Sequence, residues 1–190
     1  MRRFILFRHG ETDWNKQGFL QGRTDIPLNK TGTSQAGHLR DQLVFSGIKL
    51  LVTSPLQRAR ETAMIVNSKL NVPLIEDMAF AEADCGVLEE RNKSDFEDYF
   101  KQWESPLHPM EFPINGEVNA DVYTRTITGL MTLARTYEHD VIGISTHGGV
   151  IRRLLNYTFP TSGPHQIANA SYVMLDYTFS EGHTLCFSRE

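Results

Sequence analysis

The sequence predicts an α/β fold: a three-layer α/β/α sandwich with a mostly parallel central sheet and a small cap insertion. Short apolar runs alternate along the chain with longer stretches in which apolar residues recur at helical spacing. The first run, residues 4–7, has no polar alternation, as in a strand covered on both faces. Alternating strands and helices favour a sheet with helices on both of its faces.

The elements follow in order from their boundary signals. After the first strand, three glycines break the chain into a predicted loop, and Gly47 ends the helix that follows it. Ser54-Pro55 is typical of a helix start, with serine as N-cap and proline at the first helical position. The predicted strands are residues 4–7, 49–53, 72–76, 140–145, 171–177 and 183–187; the predicted helices are 31–45, 54–70, 91–103, 120–137 and 148–156, with a loop at 105–113.

Nothing in the chain indicates a division into several domains. There is no internal repeat, low-complexity tract or linker, and 190 residues suffice for one compact core. We therefore expect a single domain spanning residues 1–190. Residues 83–116 are the least regular stretch, and we expect them to form a small cap region over the functional site.

Composition excludes several classes of protein. With 40% hydrophobic and 22% charged residues, a net charge of −4 and a pI near 6.0, the chain is unlike a nucleic-acid binder driven by bulk charge. Cys85 and Cys186 form neither a disulfide framework nor a zinc-type pair. The N-terminal apolar run is only four residues long, too short for a signal peptide or a membrane span. We expect a reduced, soluble, cytoplasmic protein that binds neither nucleic acid nor membrane.

Unusual polar residues follow three of the predicted strands. Arg8 and His9 come directly after the first strand, Arg58 shortly after the second, and His147 after the strand at 140–145. Ligands of open parallel sheets bind just beyond the carboxyl ends of the strands. If these strands are neighbours, the four side chains meet in one crevice.

The chemistry of these residues indicates a phosphate site. The guanidinium forks of Arg8 and Arg58 match phosphate oxygens, helix N-termini attract anions, and Gly148-Gly149 allows close approach of the backbone. Neutral histidine is a good nucleophile toward phosphorus, and nearby arginines disfavour its protonation. A carboxylic acid with a raised pKa would then be needed to protonate the leaving oxygen. Each feature alone is more often a surface pair, a cap or a turn, but their joint occurrence after strands favours a site.

Longer motifs strengthen this interpretation. They are Arg8-His9-Gly10-Glu11-Thr12 with Asn15, Gln21-Gly22, Ser54-Pro55-Leu56 with Arg58-Ala59, Ser145 through Arg152, and Asn169-Ala170-Ser171. With them the sequence resembles the histidine phosphatase superfamily, the phosphoglycerate mutase-like group with the RHG motif, over most of the chain. The fold of that family, an α/β/α sandwich, agrees with the predicted elements.

The resemblance implies a role for each matching residue. His9 would be the nucleophile that becomes phosphorylated, and Glu82 the acid that protonates the leaving oxygen and then activates water. The phosphoryl group would be held by Arg8, Asn15, Arg58 and His147, with Gln21 and Gly22 bordering the pocket. Neither a cofactor nor a metal is implied, and the chain has no HExxH or EF-hand-type loop.

Departures from the family pattern lie on the cap side. Glu89-Glu90 stands where the family often has Glu-Gly, and Val118 stands where it often has serine. Both leave the identity of the substrate open. Asp84 and Glu89 are rival candidates for the acid, ranked below Glu82.

The predicted function is that of a metal-independent phosphomonoesterase. Glu82 and Gly116 are close in sequence, so the cap is small, which favours hydrolysis over the retained intermediate of a mutase. In length and cap the chain looks most like α-ribazole-phosphate phosphatases and small broad-specificity phosphatases. A small phosphate ester is the expected substrate, and a phosphoprotein is a second option. A phosphoglycerate mutase and a non-catalytic phospho-ligand binding module are the alternatives, and the oligomeric state stays open. An NTPase or serine hydrolase is disfavoured because GxxxxGK[ST] and GxSxG are absent.

Overall fold

The computed structural model describes residues 2–96, 115–160, 165–179 and 185–189. Its strands are β1 (Arg2–Arg8), β2 (Leu50–Thr53), β3 (Leu74–Glu76), β4 (Val141–Thr146), β5 (Tyr172–Phe179) and β6 (Leu185–Arg189). Its α-helices are α1 (Asp13–Gln17), α2 (Lys30–Leu43), α3 (Gln57–Leu70), α4 (Asn119–Thr136) and α5 (Gly148–Thr158), and short 3₁₀ helices lie at Met78–Phe80, Gly86–Leu88 and Lys93–Phe96. Within these ranges no helix is long and apolar enough to cross a bilayer.

The six strands form one sheet in the order β3-β2-β4-β1-β5-β6. Strands β1 to β4 are parallel, whereas β5 runs antiparallel to β1 and β6 antiparallel to β5. The register pairs Arg8 with Thr146 and Thr53 with Ser145, so the carboxyl ends of β1, β4 and β2 lie side by side. The predicted mostly parallel sheet is confirmed.

The sheet is covered on both faces, as the predicted three layers require. Along β1, Phe4 and Leu6 join one core with α4 and α5, while Ile5 and Phe7 join the other with α2 and α3. This alternation follows from the two-residue period of a strand, and the uninterrupted apolar run reflects burial on both faces. The three-layer α/β/α sandwich is therefore confirmed.

One helix was missed in the segment predicted to be loop. Helix α1 starts at a capping box, in which Thr12 Oγ1 accepts the Asn15 N–H at 3.1 Å and Asn15 Oδ1 accepts the Thr12 N–H at 3.2 Å. The helix ends after five residues because Gly18 takes a left-handed conformation, φ 81°. The Thr-x-x-Asn spacing was the available sequence signal.

The predicted start of the helix that follows β2 was wrong. Helix α3 begins at Gln57, three residues after Ser54, and its N-cap residue Leu56 makes no side-chain cap bond. Asp25 takes over that task from a distant loop, since its carboxylate accepts the Gln57 N–H at 2.6 Å. Ser54 Oγ is used elsewhere: it accepts the Leu56 N–H at 3.2 Å and contacts the second histidine of the site.

The cap region is described only in part. Of the helix predicted at 91–103, residues 93–96 form a 3₁₀ helix, and residues 97–103 lie outside the described ranges. The predicted loop at 105–113 and the start of the predicted strand at 183–187 also lie outside them.

Both departures on the cap side fall on backbone positions that prefer another residue. Glu90 has φ 66°, a left-handed conformation that glycine adopts without steric cost. Val118 is the N-cap of α4, and it offers no side-chain acceptor to the helix. The departures therefore have a local backbone effect, and neither side chain lines the cavity described below.

We expect Val118→Ser to stabilise the protein by about 1 kcal/mol, because a serine hydroxyl can accept an unpaired N–H in the first turn of α4. Urea denaturation would measure the change in the free energy of unfolding. Val118→Ala is the matched control, since it removes the same methyl groups without adding an acceptor. An equal gain in both variants would contradict the capping explanation.

Candidate active site

A polar cavity lies at the carboxyl ends of β1, β2 and β4. Most of the residues singled out from the sequence line it: Arg8, His9, Asn15, Gln21, Gly22, Arg58 and Glu82. His147 is fully buried directly beside His9, with ring centroids 5.2 Å apart. The convergence expected from three strand ends is therefore present, because β2, β4 and β1 are consecutive in the sheet.

The ring of His9 is fixed in one orientation. Its Nδ1 lies 2.7 Å from the Gly10 carbonyl oxygen and can only donate to it, so the neutral ring has its lone pair on Nε2. The loop beneath is held by Thr62 Oγ1, which accepts the Gly10 N–H at 3.1 Å. Burial, followed by the charges of Arg58 and Arg8, lowers the pKa of His9 well below its usual value of 6.5. This agrees with the neutral histidine expected from the sequence.

Two arginines, the buried Arg58 and the partly buried Arg8, flank His9 and are anchored by backbone carbonyls. Arg8 Nη1 donates to the Ile167 oxygen at 2.6 Å, while Arg58 donates to the Thr24 and Gly22 oxygens at 3.0 and 2.8 Å. Within the described residues, the Nε atom of each guanidinium is buried without a partner. Burial lowers the pKa of Arg8 to about 10, so it stays cationic at neutral pH.

His147 is held through its other ring nitrogen. Nε2 lies 2.7 Å from Ser54 Oγ, and Nδ1 is buried with no partner in the described part of the chain. Burial and the charges of Arg58 and Arg8 lower the pKa of His147 well below 6.5. The serine that the sequence suggested as a helix cap thus orients the second histidine.

The side-chain amides of Asn15 and Gln21 also line the cavity, and hydrogen bonds from neighbouring residues fix their orientation. Asn15 Oδ1 accepts from Thr12 N and from Asn169 Nδ2 at 3.1 Å, which leaves its NH₂ group as the end able to donate to a ligand. Gln21 Oε1 likewise accepts from Thr12 Oγ1 at 3.0 Å. Gly22 borders the pocket, as expected, and it has a second role, because its carbonyl oxygen accepts a hydrogen bond from Arg58.

Glu82 points into the cavity and is held by backbone N–H groups. Its two oxygens accept from Ala83 N at 3.0 Å and from Gly149 N at 3.1 Å. A Cβ on Gly149 would overlap the Glu82 carboxylate, so the second glycine of the pair is what lets the acid approach. One N–H of the α5 start, expected to meet the phosphate, therefore donates to Glu82.

The pKa of Glu82 departs from the expected direction. Burial alone would raise it, but Arg153, the Ala83 N–H, Arg58 and the Gly149 N–H together lower it below 4.5. The raised pKa inferred from the sequence was therefore wrong. The signal was missed because Arg153, which carries the largest of these opposing effects, stood outside the recognised motif.

The loop that carries Glu82 is fixed from α4. Arg125 pairs with Glu117 through two hydrogen bonds of 2.6 and 3.0 Å, and donates to the Ala79 carbonyl at 2.9 Å and the Glu82 carbonyl at 3.3 Å. Such a bidentate pair combines charge with directional hydrogen bonds. Through these bonds Arg125 fixes the backbone of the loop that carries Glu82.

The rival acids lie outside the cavity. The Glu89 carboxylate accepts four hydrogen bonds of 2.6 to 3.1 Å and so holds the loop around Gly22. The donors are Arg23 N, Thr24 N, Thr24 Oγ1 and Cys85 N. Asp84 accepts the Gly86 N–H at 2.8 Å and is partly exposed. Neither lines the cavity, which leaves Glu82 as the acid best placed to meet a bound ligand.

Other polar residues of the site carried no assigned role in the sequence. Arg152 and Arg153 follow the His147-Gly148-Gly149 motif on α5, and Lys93 lies on the last 3₁₀ helix; all three line the cavity. Thr62 and Asn169 support the loop of His9 from behind. Asn169 belongs to a matched motif, but the supporting contacts of Thr62 and Asn169 were not predictable, since they depend on tertiary packing.

We expect folding stability to fall as pH drops below about 6.5. The pKa values of His9 and His147 in the folded protein lie well below the value of 6.5 in an unfolded chain. As the pH falls, these two rings are therefore protonated in the unfolded chain before they are protonated in the folded protein, which favours unfolding. Each contributes about 1.4 kcal/mol per pH unit once the unfolded ring is charged. The lowered pKa values of Glu82 and Glu117 make stability depend on pH only below about 4.5. Between about pH 5 and 6.5 the dependence of stability on pH therefore reports the two histidines.

Urea denaturation at pH 7 and 5.5 tests this, with His9→Gln and His147→Gln each reducing the dependence on pH. His38→Gln is the control, because His38 is exposed on α2. A dependence that is the same in wild type and in the double variant His9→Gln/His147→Gln would contradict the explanation.

Known proteins share both sequence and fold with this chain. The sequence model of the histidine phosphatase superfamily (branch 1) matches residues 4–188. The uncharacterized phosphatase PhoE of Bacillus subtilis is 37% identical over 155 residues, which cover 82% of this chain and 76% of that protein. Two solved structures resemble this chain in fold. Mycobacterial glucosyl-3-phosphoglycerate phosphatase with VO3 has a TM-score of 0.85 at 22% identity, and the match covers 100% of this chain and 98% of that one. A putative alpha-ribazole-5'-P phosphatase from Escherichia coli has a TM-score of 0.80 at 23% identity, and the match covers 99% of this chain and 95% of that one. The chain therefore belongs to the histidine phosphatase superfamily.

Proposed function

We propose that this protein is a metal-independent phosphomonoesterase that works through a phosphohistidine on His9, with Glu82 as general acid and base. One observation carries the proposal: the free Nε2 of His9 lies in a cavity where two arginines, Arg8 and Arg58, each keep a buried Nε that has no partner among the described residues. A buried N–H without a partner costs about 1–3 kcal/mol, and a phosphoryl group would satisfy both. Related proteins named phosphatases support the same function.

The reaction follows from this geometry in two steps. His9 Nε2 attacks phosphorus, the bond from phosphorus to the ester oxygen breaks, and Glu82 gives its proton to the leaving oxygen. Water then attacks the phosphorus of the phosphohistidine, Glu82 takes a proton from that water, and the bond from phosphorus to Nε2 breaks, which restores neutral His9 and releases inorganic phosphate. Arg8 and Arg58 stabilise the charge on the transferring oxygens. His147 and the NH₂ group of Asn15 bind the same oxygens, while Gln21 and Gly22 border them.

Substrate binding itself supplies the protonated acid. The negative charge of the phosphoryl group offsets the two arginines and disfavours a carboxylate beside it, so the pKa of Glu82 rises on binding. The proton comes from the monoanionic ester, whose second pKa lies near 6. Glu82 is therefore an acid only in the complex, which reconciles its lowered pKa in the free protein with its role.

The wider setting of the site belongs to the same proposal. Residues 1–190 form a single domain, in which residues 83–116 are the cap that contacts the alcohol part of the substrate; Ala83, Cys85 and Lys93 of this stretch line the cavity. The substrate is a small phosphate ester, and the protein works in the cytoplasm.

Phosphate release from a panel of phosphomonoesters tests the proposal. We expect turnover without added metal and no loss of rate in excess EDTA, because arginine supplies the positive charge that a metal would otherwise give. Inactivation by EDTA with recovery on adding Mg²⁺ or Zn²⁺ would refute the metal-independent mechanism. No turnover without a bisphosphate primer would indicate a mutase, and tight phosphate binding without turnover a binding module.

A further inference from the structure

The guanidinium of Arg58 is held by two carbonyls of one short loop. The Arg58 side chain is buried, and its two Nη atoms donate to the Thr24 and Gly22 oxygens at 3.0 and 2.8 Å. Both acceptors are backbone atoms of residues 22–24, here called the anchor loop. The position of Arg58 beside His9 therefore depends on where the anchor loop holds these two oxygens.

The anchor loop lies outside the helices and strands, so no ladder of backbone hydrogen bonds fixes its carbonyls. A turn bond from the Thr24 N–H to the Gln21 oxygen, 2.9 Å long, closes it, and Gly22 takes a left-handed conformation with φ 49°. Arg23, in the middle of the loop, is exposed. Such a loop holds a buried arginine in one position only if another group supports it.

Glu89 supplies this support with its carboxylate. The carboxylate accepts hydrogen bonds from Arg23 N at 2.7 Å and from Thr24 N and Oγ1 at 2.9 and 2.6 Å. It also packs against Gly22, where an added Cβ would collide with it. Hydrogen bonds to an ionised acceptor are about twice as strong as those between neutral groups. One carboxylate thus fixes every residue of the anchor loop.

Glu89 is itself held in place by the neighbouring backbone. The Glu90 N–H donates to the Leu20 oxygen at 3.0 Å, and the Leu20 N–H donates to the Arg91 oxygen at 2.9 Å. The fourth bond to the Glu89 carboxylate, 3.1 Å long, comes from Cys85 N in the loop that follows Glu82. The carboxylate therefore joins the anchor loop to a segment fixed independently of Arg58.

The two arginines of the site differ in what supports them. Arg8 donates to the Ile167 oxygen at 2.6 Å, on the far side of the chain from the anchor loop in sequence. The charge of Glu89 also favours Arg58 directly, since burial lowers the pKa of Arg58 and Glu89 is among the acidic groups that oppose this shift. A change at Glu89 should therefore act through Arg58 and leave the contribution of Arg8 intact.

We propose that Glu89 is a positioning residue for phosphoryl transfer, which holds the carbonyls of the anchor loop so that Arg58 meets the oxygens of the transferring group. The inference rests on the proposed function and extends it by one residue. Glu89 lies outside the cavity lining, and its carboxylate already accepts four hydrogen bonds, so it acts through Arg58 and not on the substrate.

Glu89→Gln tests the inference, because glutamine keeps the shape but turns an NH₂ group toward N–H donors. We expect kcat/KM to fall about 10-fold on glycerol 3-phosphate and on 4-nitrophenyl phosphate alike, since both esters present the same phosphoryl group to Arg58. Inorganic phosphate, titrated by ³¹P NMR, should bind about 10-fold more weakly. A loss of kcat/KM on the alkyl ester alone would make Glu89 a proton donor and overturn the inference.

A double-mutant cycle distinguishes action through Arg58 from a general effect. In an Arg58→Met background, Glu89→Gln should weaken phosphate binding by no more than about 2-fold, the limit for independent sites. In an Arg8→Met background it should keep its full effect of about 10-fold. Equal effects of Glu89→Gln in the two backgrounds, or no effect in wild type, would refute the inference.

Glu61→Gln is the matched control for a structural role. The Glu61 carboxylate accepts the Leu28 N–H at 2.8 Å and Gln57 Nε2 at 2.7 Å, so it supports the same connection further along the chain. We expect a comparable loss of stability in urea for both glutamine variants, but an unchanged phosphate affinity for Glu61→Gln. Equal losses of phosphate affinity in Glu61→Gln and Glu89→Gln would show that Glu89 only stabilises the fold.

Thr24→Val keeps the inference testable if Glu89→Gln does not fold. It removes the 2.6 Å hydroxyl contact with Glu89 and keeps both the N–H and the carbonyl of the anchor loop. We expect phosphate to bind about 3-fold more weakly in this variant, and the difference to vanish in the Arg58→Met background; a difference that persists there would refute the inference. If wild type hydrolyses no ester, the proposed function fails, and the phosphate titrations alone decide whether Glu89 positions Arg58.

Discussion

Replacing His9 by alanine is expected to lower phosphate release by about 10⁴-fold or more, because it removes the atom that bonds to phosphorus. The Nδ1 bond to the Gly10 carbonyl leaves Nε2 of His9 as the nucleophile. The Cys85 thiol also lines the cavity, but burial raises its pKa to about 12, so it is not a reactive nucleophile at neutral pH. The loss should therefore appear with every ester.

A chemical signature separates loss of the nucleophile from general damage. Wild type quenched during turnover of a ³²P-labelled ester should carry a label that survives alkali and is lost in acid, as expected of a phosphoramidate. His9→Ala should carry none, while His147→Ala should be slow yet still become labelled. His38→Ala is the control, because it removes an exposed histidine. Labelling of His9→Ala at the wild-type level would disprove the assignment of the nucleophile.

The fold and the central residues of the site were predictable because their signals are local. Uninterrupted apolar runs mark strands buried on both faces, and a strand followed at once by Arg8-His9 or His147-Gly148 places those residues at the carboxyl edge. Which strands are neighbours is not local, yet only a few arrangements of a parallel sheet are permitted.

What the sequence did not reveal depends on contacts between distant segments. The cap of α3 comes from Asp25 in a separate loop, which freed Ser54 to contact His147. The pKa of Glu82 was expected in the wrong direction because it is a balance between burial and charges whose positions only the fold sets. The same limit applied to Arg152, which lines the cavity only because α5 packs on β1.

Replacing Glu82 by glutamine is expected to divide the two chemical steps. On an alkyl ester such as glycerol 3-phosphate, kcat/KM should fall about 10²- to 10⁴-fold, because the poor leaving group needs the proton. On 4-nitrophenyl phosphate the leaving phenolate needs little help, so kcat/KM should fall far less. Hydrolysis of phosphohistidine still lacks its base, so kcat should drop on both esters.

The intermediate should therefore accumulate in Glu82→Gln on the activated ester. A rapid burst of one 4-nitrophenolate per site, followed by a slow steady state, is the expected kinetic result. Glutamine replaces one acceptor by a donor facing Ala83 N or Gly149 N, which costs about 1–3 kcal/mol of stability, so urea denaturation should accompany the kinetics.

Asp84→Asn is the matched control for Glu82→Gln, because it neutralises a carboxylate two residues away that lies outside the cavity. We expect it to change neither the preference between esters nor the burst. Equal losses of kcat/KM on both esters in Glu82→Gln, without a burst, would show that Glu82 does not donate the proton. A selective loss in Asp84→Asn would transfer the role to that residue. The comparison of esters thus distinguishes the acid from a carboxylate that only shapes the loop, because a structural role would slow both esters alike.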